Sequence, residues 1–142
     1  MEIVTASEQD IDGLLRSYEG LRAVMWNRDP AAYALLAREG DRVLGLCFAF
    51  RREIPAPVGG LMEDFLNVVE VFDEERRGQG IGSALVRTCM RRAKESGSYQ
   101  VRAYCDISNA ASHRLWVKNG FGISPAKGED GRILGSFVTC VL

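Results

Sequence analysis

The segment Arg-Gly-Gln-Gly-Ile-Gly at residues 77–82 constrains the fold more than any other part of this 142-residue chain. It lies between a β-rich run at 64–72 and a helical pattern at 80–95 whose apolar residues recur on one face. Glycines at such a junction let the backbone turn tightly and approach a ligand closely. The first N–H groups of the helix and its dipole favour an anion, so the junction predicts a diphosphate site that needs no metal.

Two better-known nucleotide motifs are absent from this segment. The glycines are not followed by the Lys-Ser/Thr pair of a P-loop, and their GxGxG spacing differs from the GxGxxG dinucleotide fingerprint. An NTPase or a dehydrogenase is therefore disfavoured. For the hexapeptide taken alone, a glycine-rich turn without a ligand remains the alternative.

Strand and helix patterns alternate along the rest of the chain, which predicts one mixed α/β domain over residues 1–142. The predicted strands cover 2–5, 42–50, 64–72, 99–105 and 133–142. The predicted helices run from a Ser7 cap to about Gly20, from Asp29-Pro30 through Tyr33, Leu35 and Leu36, over 80–95 and over 109–119. Loops are predicted at 55–60 and 126–131.

Composition excludes several classes of protein. With 18 basic and 19 acidic residues the net charge is −1, which disfavours a nucleic-acid binder. No apolar run approaches the roughly 20 residues that span a bilayer, and the N-terminus lacks a signal-peptide pattern, so we expect a cytoplasmic protein without a membrane partner. A single histidine, His113, excludes a multi-His metal site, and four scattered cysteines, including Cys105, are expected to pack in the core.

A second sequence block supports a functional interpretation of the glycine segment. The order strand, Arg-x-x-Gly-x-Gly at 77–82, helix, strand, and Asn-x-x-Ser-x-x-Leu-Trp-x-x-x-Gly-Phe at 109–121 resembles the GNAT superfamily of acetyl-CoA-dependent N-acetyltransferases. The two blocks are similar to the family's motifs A and B and cover about the C-terminal half of the chain. The resemblance implies an α+β fold with a central, mostly antiparallel, splayed mixed sheet of six to seven strands and about four helices.

The resemblance also implies how acetyl-CoA binds. The pantetheine arm would pair with the strand before the glycines, and the pyrophosphate would rest on the backbone amides that follow, with charge from Arg77. Asn109 matches a position that contacts the pantetheine or its surroundings, although its type and place also suit a helix N-cap. The residues assigned to the cofactor are Val71, Phe72, Arg77, Gly78, Gln79, Gly80, Ile81, Gly82, Ser83, Asn109, Ser112 and Trp116.

The implied reaction is direct attack of a neutral primary amine on the thioester of acetyl-CoA, polarised by a backbone N–H of the fourth strand. Because an amine is mostly protonated at neutral pH, a carboxylate must accept a proton directly or through water. Glu70, two residues before Phe72 and on the same predicted face, is the first candidate base. Glu63 and Asp64 are its rivals, and each of the three also fits a solvated carboxylate.

The general acid departs from the family pattern. Many members carry a tyrosine immediately after the leucine of the second block, where this chain has Trp116. An indole N–H donates a hydrogen bond but releases no proton near neutral pH. Tyr104, water, or unassisted departure of the thiolate remain as alternatives, and Trp116 also fits a packing role.

The amine acceptor is left open by the sequence. Tyr18, Met25, Trp26 and Tyr33 are candidates to line an acceptor pocket, and Glu19 and Asp29 suit a cationic amine. A small molecule, a protein N-terminus and a lysine all remain compatible, as does a homodimer. Two other functions stay open: a non-catalytic module that binds CoA or acyl-CoA, and a phosphate-loop protein unrelated to CoA.

Overall fold

The structure is a computed structural model that describes residues 1–17 and 31–142. A single turn of 3-10 helix, Glu74–Arg76, precedes the glycine segment. The strands and helices in chain order are β1 (Glu2–Thr5), α1 (Glu8–Ser17), β2 (Ala32–Glu39), β3 (Arg42–Glu53), β4 (Met62–Val71), α2 (Ile81–Glu95), β5 (Gln100–Asp106), α3 (Ala110–Lys118), β6 (Gly122–Lys127) and β7 (Ile133–Val141).

The strands form one seven-stranded sheet in the order β1-β2-β3-β4-β5-β7-β6. Every neighbouring pair is antiparallel except β4 and β5, which are parallel and are connected through α2. A parallel pair needs such a crossover, because a tight turn cannot reverse the chain direction twice. The predicted mixed, mostly antiparallel sheet is confirmed. The described residues contain three helices, against the about four that the resemblance implied.

Two apolar clusters cover the two faces of the sheet. The larger one joins α2 to the centre of the sheet, and the smaller one joins α1 to β2 and β3. Burial of these side chains is the main favourable term that holds the helices on the sheet. The larger cluster includes Leu35, Leu44, Cys47, Leu85, Val86, Cys89, Val101 and Val138, and the smaller one Leu14, Leu15, Ala34, Leu36, Leu46 and Phe48.

The predicted helix through Tyr33, Leu35 and Leu36 is wrong, because these residues belong to β2. The four consecutive residues 34–37 are all buried, since β1 and β3 flank β2 and the two clusters cover its faces. A short apolar run buried on both faces has the same pattern as a buried helix, and its Ala and Leu content favours helix. The predicted start at Asp29-Pro30 and the predicted end near Gly20 lie outside the described residues.

Strand β6 was missed by the sequence analysis, which predicted no strand between residues 120 and 132. Among the strands that the structure describes, it pairs only with β7, at the edge of the sheet, and most of its side chains are exposed. Pro125 lies within it, and proline is tolerated in strands mainly at such edges. None of the helices in the described ranges is long and apolar enough to cross a membrane.

Candidate functional site

The sheet splits between its two parallel strands. Pairing of β4 with β5 extends from Glu63 opposite Gln100 to Leu66 opposite Ala103, and both strands then continue without pairing to each other. On the other side of β4, Phe48 pairs with Val68 and Ala49 with Leu66, so one residue of β4, at 67, is bulged out. A bulge bends its strand and increases the local twist. The bulge therefore coincides with the point where β4 turns away from β5.

The glycine segment forms the entry to α2 beside the open end of this split. Gly78 and Gly80 have φ angles of 80° and 87°, a conformation that glycine adopts without steric cost. Gly82 lies close to two neighbouring elements: a Cβ there would be 3.5 Å from Leu115 of α3 and 4.0 Å from Val71 at the end of β4. The N-terminus of α2 is thereby held against the end of β4.

The first turn of α2 offers backbone donors to a ligand. Gly80 is the N-cap and has no side chain to bond these groups, and the first intrahelical acceptor, its carbonyl, binds the N–H of Ala84 at 2.9 Å. Within the described residues, no hydrogen bond donated by the backbone N–H of Ile81, Gly82 or Ser83 is formed. A Cβ added at Gly78 or Gly80 would meet open space. Free N–H groups at a 15-residue helix with open space before them fit an anion such as a diphosphate.

Arg77 lies at the junction of β4 and the glycine segment. Its Nη2 is 3.5 Å from Glu70 Oε1 and its Nη1 is 3.8 Å from Glu74 Oε1. Nε and Nη2 both lie 3.4 Å from the carbonyl oxygen of Val71. These contacts are long and about half of the Arg77 side chain is exposed, so its charge is available to a ligand at the start of α2.

Two polar side chains of the same region are engaged within the protein. Gln79 accepts a hydrogen bond from Arg76 Nε at 2.9 Å and donates to the carbonyl oxygen of Glu75 at 3.3 Å. Ser83 is buried, and its Oγ accepts a hydrogen bond from Asn119 Nδ2 at 3.1 Å. They stabilise the turn and the contact between α2 and α3. The backbone N–H of Ser83 would contribute to a ligand, whereas that of Gln79 donates to the carbonyl oxygen of Arg76 at 3.4 Å.

The second sequence block forms α3 and the turn after it. Asn109 is the N-cap of α3, and its Oδ1 accepts a hydrogen bond from the N–H of Ser112 at 3.0 Å. Trp116 is 3% exposed, donates from Nε1 to Ser112 Oγ at 2.9 Å, and packs on Phe121 with ring centroids 4.9 Å apart. The cofactor roles assigned to these side chains stay predictions, and their internal contacts give each of them a structural role.

Glu70 and Tyr104 share one face of the sheet on opposite sides of the split. Glu70 pairs with Leu46, whose side chain belongs to the α1 cluster, and Phe72 packs against the same cluster. Ala103, next to Tyr104, belongs to the α2 cluster, so Tyr104 points to the α1 side because side chains alternate along a strand. Both side chains are close to half exposed, at 45% for Glu70 and 42% for Tyr104.

Tyr104 is held in position by β7. Its ring contacts Phe137 edge-on, with centroids 5.5 Å apart. Gly135 lies directly below the phenol, since a Cβ at that residue would be 2.6 Å from Tyr104 Oη. Only glycine at 135 therefore leaves room for the tyrosine side chain in this orientation.

The two rival carboxylates, Glu63 and Asp64, are both buried and both saturated with donors. Asp64 points to the α2 side, where it accepts hydrogen bonds from Tyr33 Oη at 2.6 Å and Ser98 Oγ at 2.5 Å. Glu63 points to the other side and accepts from Arg52, Gln100 and Arg102. Burial raises the pKa of Glu63, but the hydrogen bonds from Arg102, Gln100 and Arg52 outweigh it and leave this pKa below its ordinary value.

Tyr33, a candidate for the acceptor pocket, belongs to the interior. Its hydroxyl lies between Asp64 and Cys89, at 3.2 Å from the Cys89 sulfur, and burial, followed by these two neighbours, raises its pKa. Arg92 lies over its ring, 4.0 Å from the centroid. The other acceptor candidates, Tyr18, Glu19, Met25, Trp26 and Asp29, lie outside the described residues.

The cysteines and His113 are the remaining residues with reactive or metal-binding side chains. Cys105 is buried with its sulfur 3.6 Å from the carbonyl oxygen of Asn109, and a hydrogen bond with Cys89, together with burial, raises the pKa of Cys47. His113 is partly buried on α3, and its Nε2 has no hydrogen-bond partner within the ranges 1–17 and 31–142. Over residues 1–17 and 31–142, no three His, Cys, Asp or Glu side chains lie close enough together to hold a metal ion.

Arg52 and Arg102 are charged residues near the candidate site that the sequence analysis did not single out. They lie on the same face as Glu70 and Tyr104, where both bind Glu63. A signal was present in the alternation of Gln100, Arg102 and Tyr104 along β5, opposite the apolar face of the same strand. This alternation predicts a polar face for β5, and only the tertiary structure brings Glu63 and Arg52 to it.

Comparison with known proteins agrees with this geometry. The chain matches the acetyltransferase (GNAT) family over residues 5–121. None of the curated protein sequences compared with it matches.

Solved structures share the fold over nearly the whole length. NAA60 of Arabidopsis thaliana in complex with acetyl-CoA superposes with a TM-score of 0.78 at 12% identity, covering 99% of both chains. The ribosomal-protein-alanine N-acetyltransferase of Brucella melitensis gives 0.73 at 23% identity with full coverage of both. YncA, a putative acetyltransferase of Salmonella typhimurium with its cofactor acetyl-CoA, gives 0.72 at 21% identity, covering 99% of this chain and 93% of YncA. With the family match over most of its length, the chain belongs to the acetyltransferase (GNAT) family.

Proposed function

We propose that this protein is an N-acetyltransferase that transfers the acetyl group of acetyl-CoA to a primary amine by direct attack. The observation that carries the proposal is the glycine segment with free backbone N–H groups at the start of α2, beside the split between β4 and β5. Two solved structures with the same fold contain acetyl-CoA, which supports the donor. A third is a ribosomal-protein-alanine N-acetyltransferase, which supports an amine acceptor. Residues 1–142 act as one domain in this proposal.

The donor would bind along β4 and across the start of α2. The N–H groups of residues 81–83 and the charge of Arg77 would hold the diphosphate, because the helix dipole and an arginine both stabilise negative charge there. The edge of β4 beyond Leu66, including the backbone of Val71, is not paired with β5 and would pair with the amides of the pantetheine arm. The N–H of Phe72 donates to the carbonyl oxygen of Leu44 at 2.9 Å, so this pairing would not use it. This placement puts the thioester near the bulge at residue 67.

Glu70 is the proposed base and Tyr104 the proposed acid. Glu70 accepts a proton from the ammonium form of the acceptor, directly or through water, and the free amine nitrogen forms a bond to the thioester carbon. The C–S bond breaks, and the departing thiolate takes the proton of Tyr104. The second proton, which the nitrogen loses as it becomes an amide, returns through water to the Tyr104 phenolate. Glu63 and Asp64 are unsuited to the base role, since both carboxylates are buried and donors within the protein already occupy their oxygens.

A non-catalytic module that binds CoA or acyl-CoA is the second candidate. The observation that favours it is Trp116, which occupies the usual position of an acid and is buried with its N–H bonded to Ser112. The two candidates share the cofactor site and differ in turnover. Distinguishing the two candidate functions therefore requires one test of CoA binding and one test of acetyl transfer.

The binding test is a thermal-shift titration of the wild type with acetyl-CoA, CoA and ATP-magnesium. Acetyl-CoA and CoA should raise Tm, because a ligand that binds only the native state stabilises it by mass action. Gly80→Glu places a carboxylate among the free N–H groups and should abolish that rise. Gly131→Glu is a matched control, since Gly131 has a similar φ of 81° with open space around it, in the exposed turn before β7.

Each outcome decides between the candidates. No shift with either CoA ligand would overturn the cofactor site, and a shift with ATP-magnesium alone would favour a phosphate-loop protein. If CoA binds but no amine in a panel of small amines, peptides and lysine derivatives is acetylated, the non-catalytic module is correct.

A further inference from the structure

Glu63, Arg52 and Arg102 form a charged cluster on the face of the sheet that also carries Glu70 and Tyr104. The proposed reaction does not use this charge. Glu63 is 0% exposed, and its Oε1 accepts from Arg52 Nε at 3.0 Å and from Arg102 Nη2 at 2.7 Å. Its Oε2 accepts from Arg102 Nε at 3.1 Å and from Gln100 Nε2 at 2.7 Å. Arg102 thus grips the carboxylate with two parallel bonds, which fixes the plane of its guanidinium.

Aromatic rings also contact both guanidinium groups and help to orient them. Arg52 lies 4.4 Å from the centroid of Phe65, and Arg102 lies 5.7 Å from the same ring and 5.3 Å from that of Phe137. Rings within about 6 Å attract a cation through their quadrupole. The arginine pair, Arg52 and Arg102, is therefore oriented before any ligand arrives.

The arginine pair has donors and charge left over. One carboxylate faces two guanidiniums, so the three groups together carry a charge of +1. Arg52 uses only Nε, and Arg102 uses Nε and Nη2, so both Nη groups of Arg52 and Nη1 of Arg102 have no hydrogen-bond partner among residues 1–17 and 31–142. The side chains are 37% and 21% exposed, which leaves these groups accessible.

The strand register gives the distance between the arginine pair and the point where β4 and β5 separate. Both guanidiniums meet Glu63 and Phe65, which lie one to three residues before the last paired position, Leu66 opposite Ala103. At about 3.3 Å per residue, the pair lies up to about 10 Å from the point where the strands part. Tyr104 and Glu70 project from the same face beyond that point.

We propose that the arginine pair anchors a carboxylate of the amine acceptor, about 7 to 13 Å from the nucleophilic nitrogen, because Phe65 and Glu63 precede the bulge at residue 67 by two and four residues. The inference rests on the proposed function for the identity of the reaction. The planar fork of arginine matches a carboxylate, and an oriented, aromatic-backed pair with unused donors needs little rearrangement to bind one. A polyamine would instead place a second cation against this positive cluster.

The test compares acceptors that differ only in the anion. 8-Aminooctanoate and its carboxamide form one matched pair, and the tripeptide amides Ala-Ala-Glu and Ala-Ala-Gln form the other, so the two arms distinguish a small amino acid from a peptide with an acidic third residue. For the wild type we expect kcat/KM to favour the carboxylate member of at least one pair by about tenfold or more, as for a hydrogen bond to a charged group. Arg52→Gln should reduce that ratio to about one.

Arg51→Gln is the control, because Arg51 neighbours Arg52 on β3 but points to the α2 side, with its guanidinium near Gly97. The ratio within each pair is insensitive to partial unfolding, since lost active enzyme lowers both rates equally. Arg102→Lys, which keeps the charge and loses the fork, should lower the ratio without abolishing folding.

Binding of the same acceptors, measured by thermal shift with CoA present, separates the two proposals. Stabilisation by the carboxylate but not the carboxamide in the wild type, lost in Arg52→Gln, supports the anchor even if no acceptor is acetylated, in which case the proposed transfer fails. Equal binding and equal acetylation of acid and amide overturn the anchor and leave acetyl transfer standing. An unchanged preference in Arg52→Gln and Arg102→Lys also overturns it.

Discussion

Glu70 and Arg77 show how one contact links the proposed chemistry to the proposed cofactor site. Their side chains lie 3.5 Å apart at the end of β4, and both are about half exposed. An exposed pair of this length contributes little to stability. The fold therefore does not depend on it, and both groups can be replaced to test function.

Glu70→Gln should lower kcat by a factor of about 100 or more, because the variant retains shape and hydrogen bonding but loses the ability to accept a proton. The KM for acetyl-CoA should change little. Steady-state kinetics with any accepted amine measures both parameters. Glu74→Gln, whose carboxylate also neighbours Arg77 but is 84% exposed, is the matched control and should leave kcat unchanged. Equal kcat in the wild type and Glu70→Gln would exclude Glu70 as the base.

Glu63 makes the stability of the sheet depend on pH. Its folded-state pKa lies below the ordinary value near 4.3, so the ionised group stabilises the fold above that pH, and this contribution is lost as pH falls through the lowered pKa. Glu63→Gln should lower the free energy of unfolding by about 2 to 4 kcal/mol at neutral pH, since it leaves two arginines without a counter-ion. Urea unfolding of both proteins from pH 7 to pH 3 should show the difference shrinking below about pH 4.

Glu129→Gln, an exposed carboxylate in the turn between β6 and β7, is the control for that series. A difference between wild type and Glu63→Gln that stays constant down to pH 3 would contradict the lowered pKa.

Among the elements, the starts of α1, α2 and α3 were correctly predicted from the sequence. Ser7 and Asp10 form the expected reciprocal cap of α1, with Asp10 N–H donating to Ser7 Oγ at 3.1 Å and Ser7 N–H donating to Asp10 Oδ2 at 2.9 Å. The hydrogen bonds from Ser7 hold the pKa of Asp10 below its ordinary value. Caps are local, spanning three residues, so the sequence alone contains what they need.

Asn109→Ala should destabilise the protein by about 1 kcal/mol, because it removes the side chain that caps α3. Asn109→Asp should restore stability, since aspartate caps about as well. Chemical unfolding measures this loss of stability. Titration with acetyl-CoA tests whether Asn109 also contacts the cofactor. A large fall in acetyl-CoA affinity with both substitutions would show that the amide itself contacts the ligand.

Strands were harder to predict than helices when their burial depended on distant partners. Residues 32–39 have a helical composition and become β2 because β1 and β3 bond both of its edges and apolar clusters cover both of its faces. β6 contains Pro125 and mostly exposed side chains, and β7, with which it pairs, follows it across a turn. In both cases tertiary pairing outweighs local propensity.

At the scale of the whole molecule, α2 unites the fold and the site. Its inner face packs on the centre of the sheet, while its first turn supplies the free N–H groups beside the split. Leu85→Ala should lower the free energy of unfolding by about 2 to 5 kcal/mol, since Leu85 is fully buried and the change leaves a cavity. Arg87→Ala, on the exposed side of the same helix, should change it by less than about 0.5 kcal/mol.

Thermal or chemical unfolding of both variants checks this comparison. Acetyl-CoA at saturating concentration should recover part of the Tm that Leu85→Ala loses, because binding stabilises the native state. A loss as small as that of the surface variant would mean that α2 is not a principal contact of the sheet.

The sequence by itself determined the glycine segment, the helix after it and the block at 109–121. These carried the resemblance to the family, and the resemblance implied the sheet. Each is a local pattern in which backbone conformation or capping follows from residues a few positions apart. Only the tertiary structure decided that Glu63 is neutralised by two arginines, that Asp64 faces the opposite side, and that Glu70 and Tyr104 share a face. Those facts depend on strand register and on a one-residue bulge in β4, which come from pairing between residues far apart in the chain.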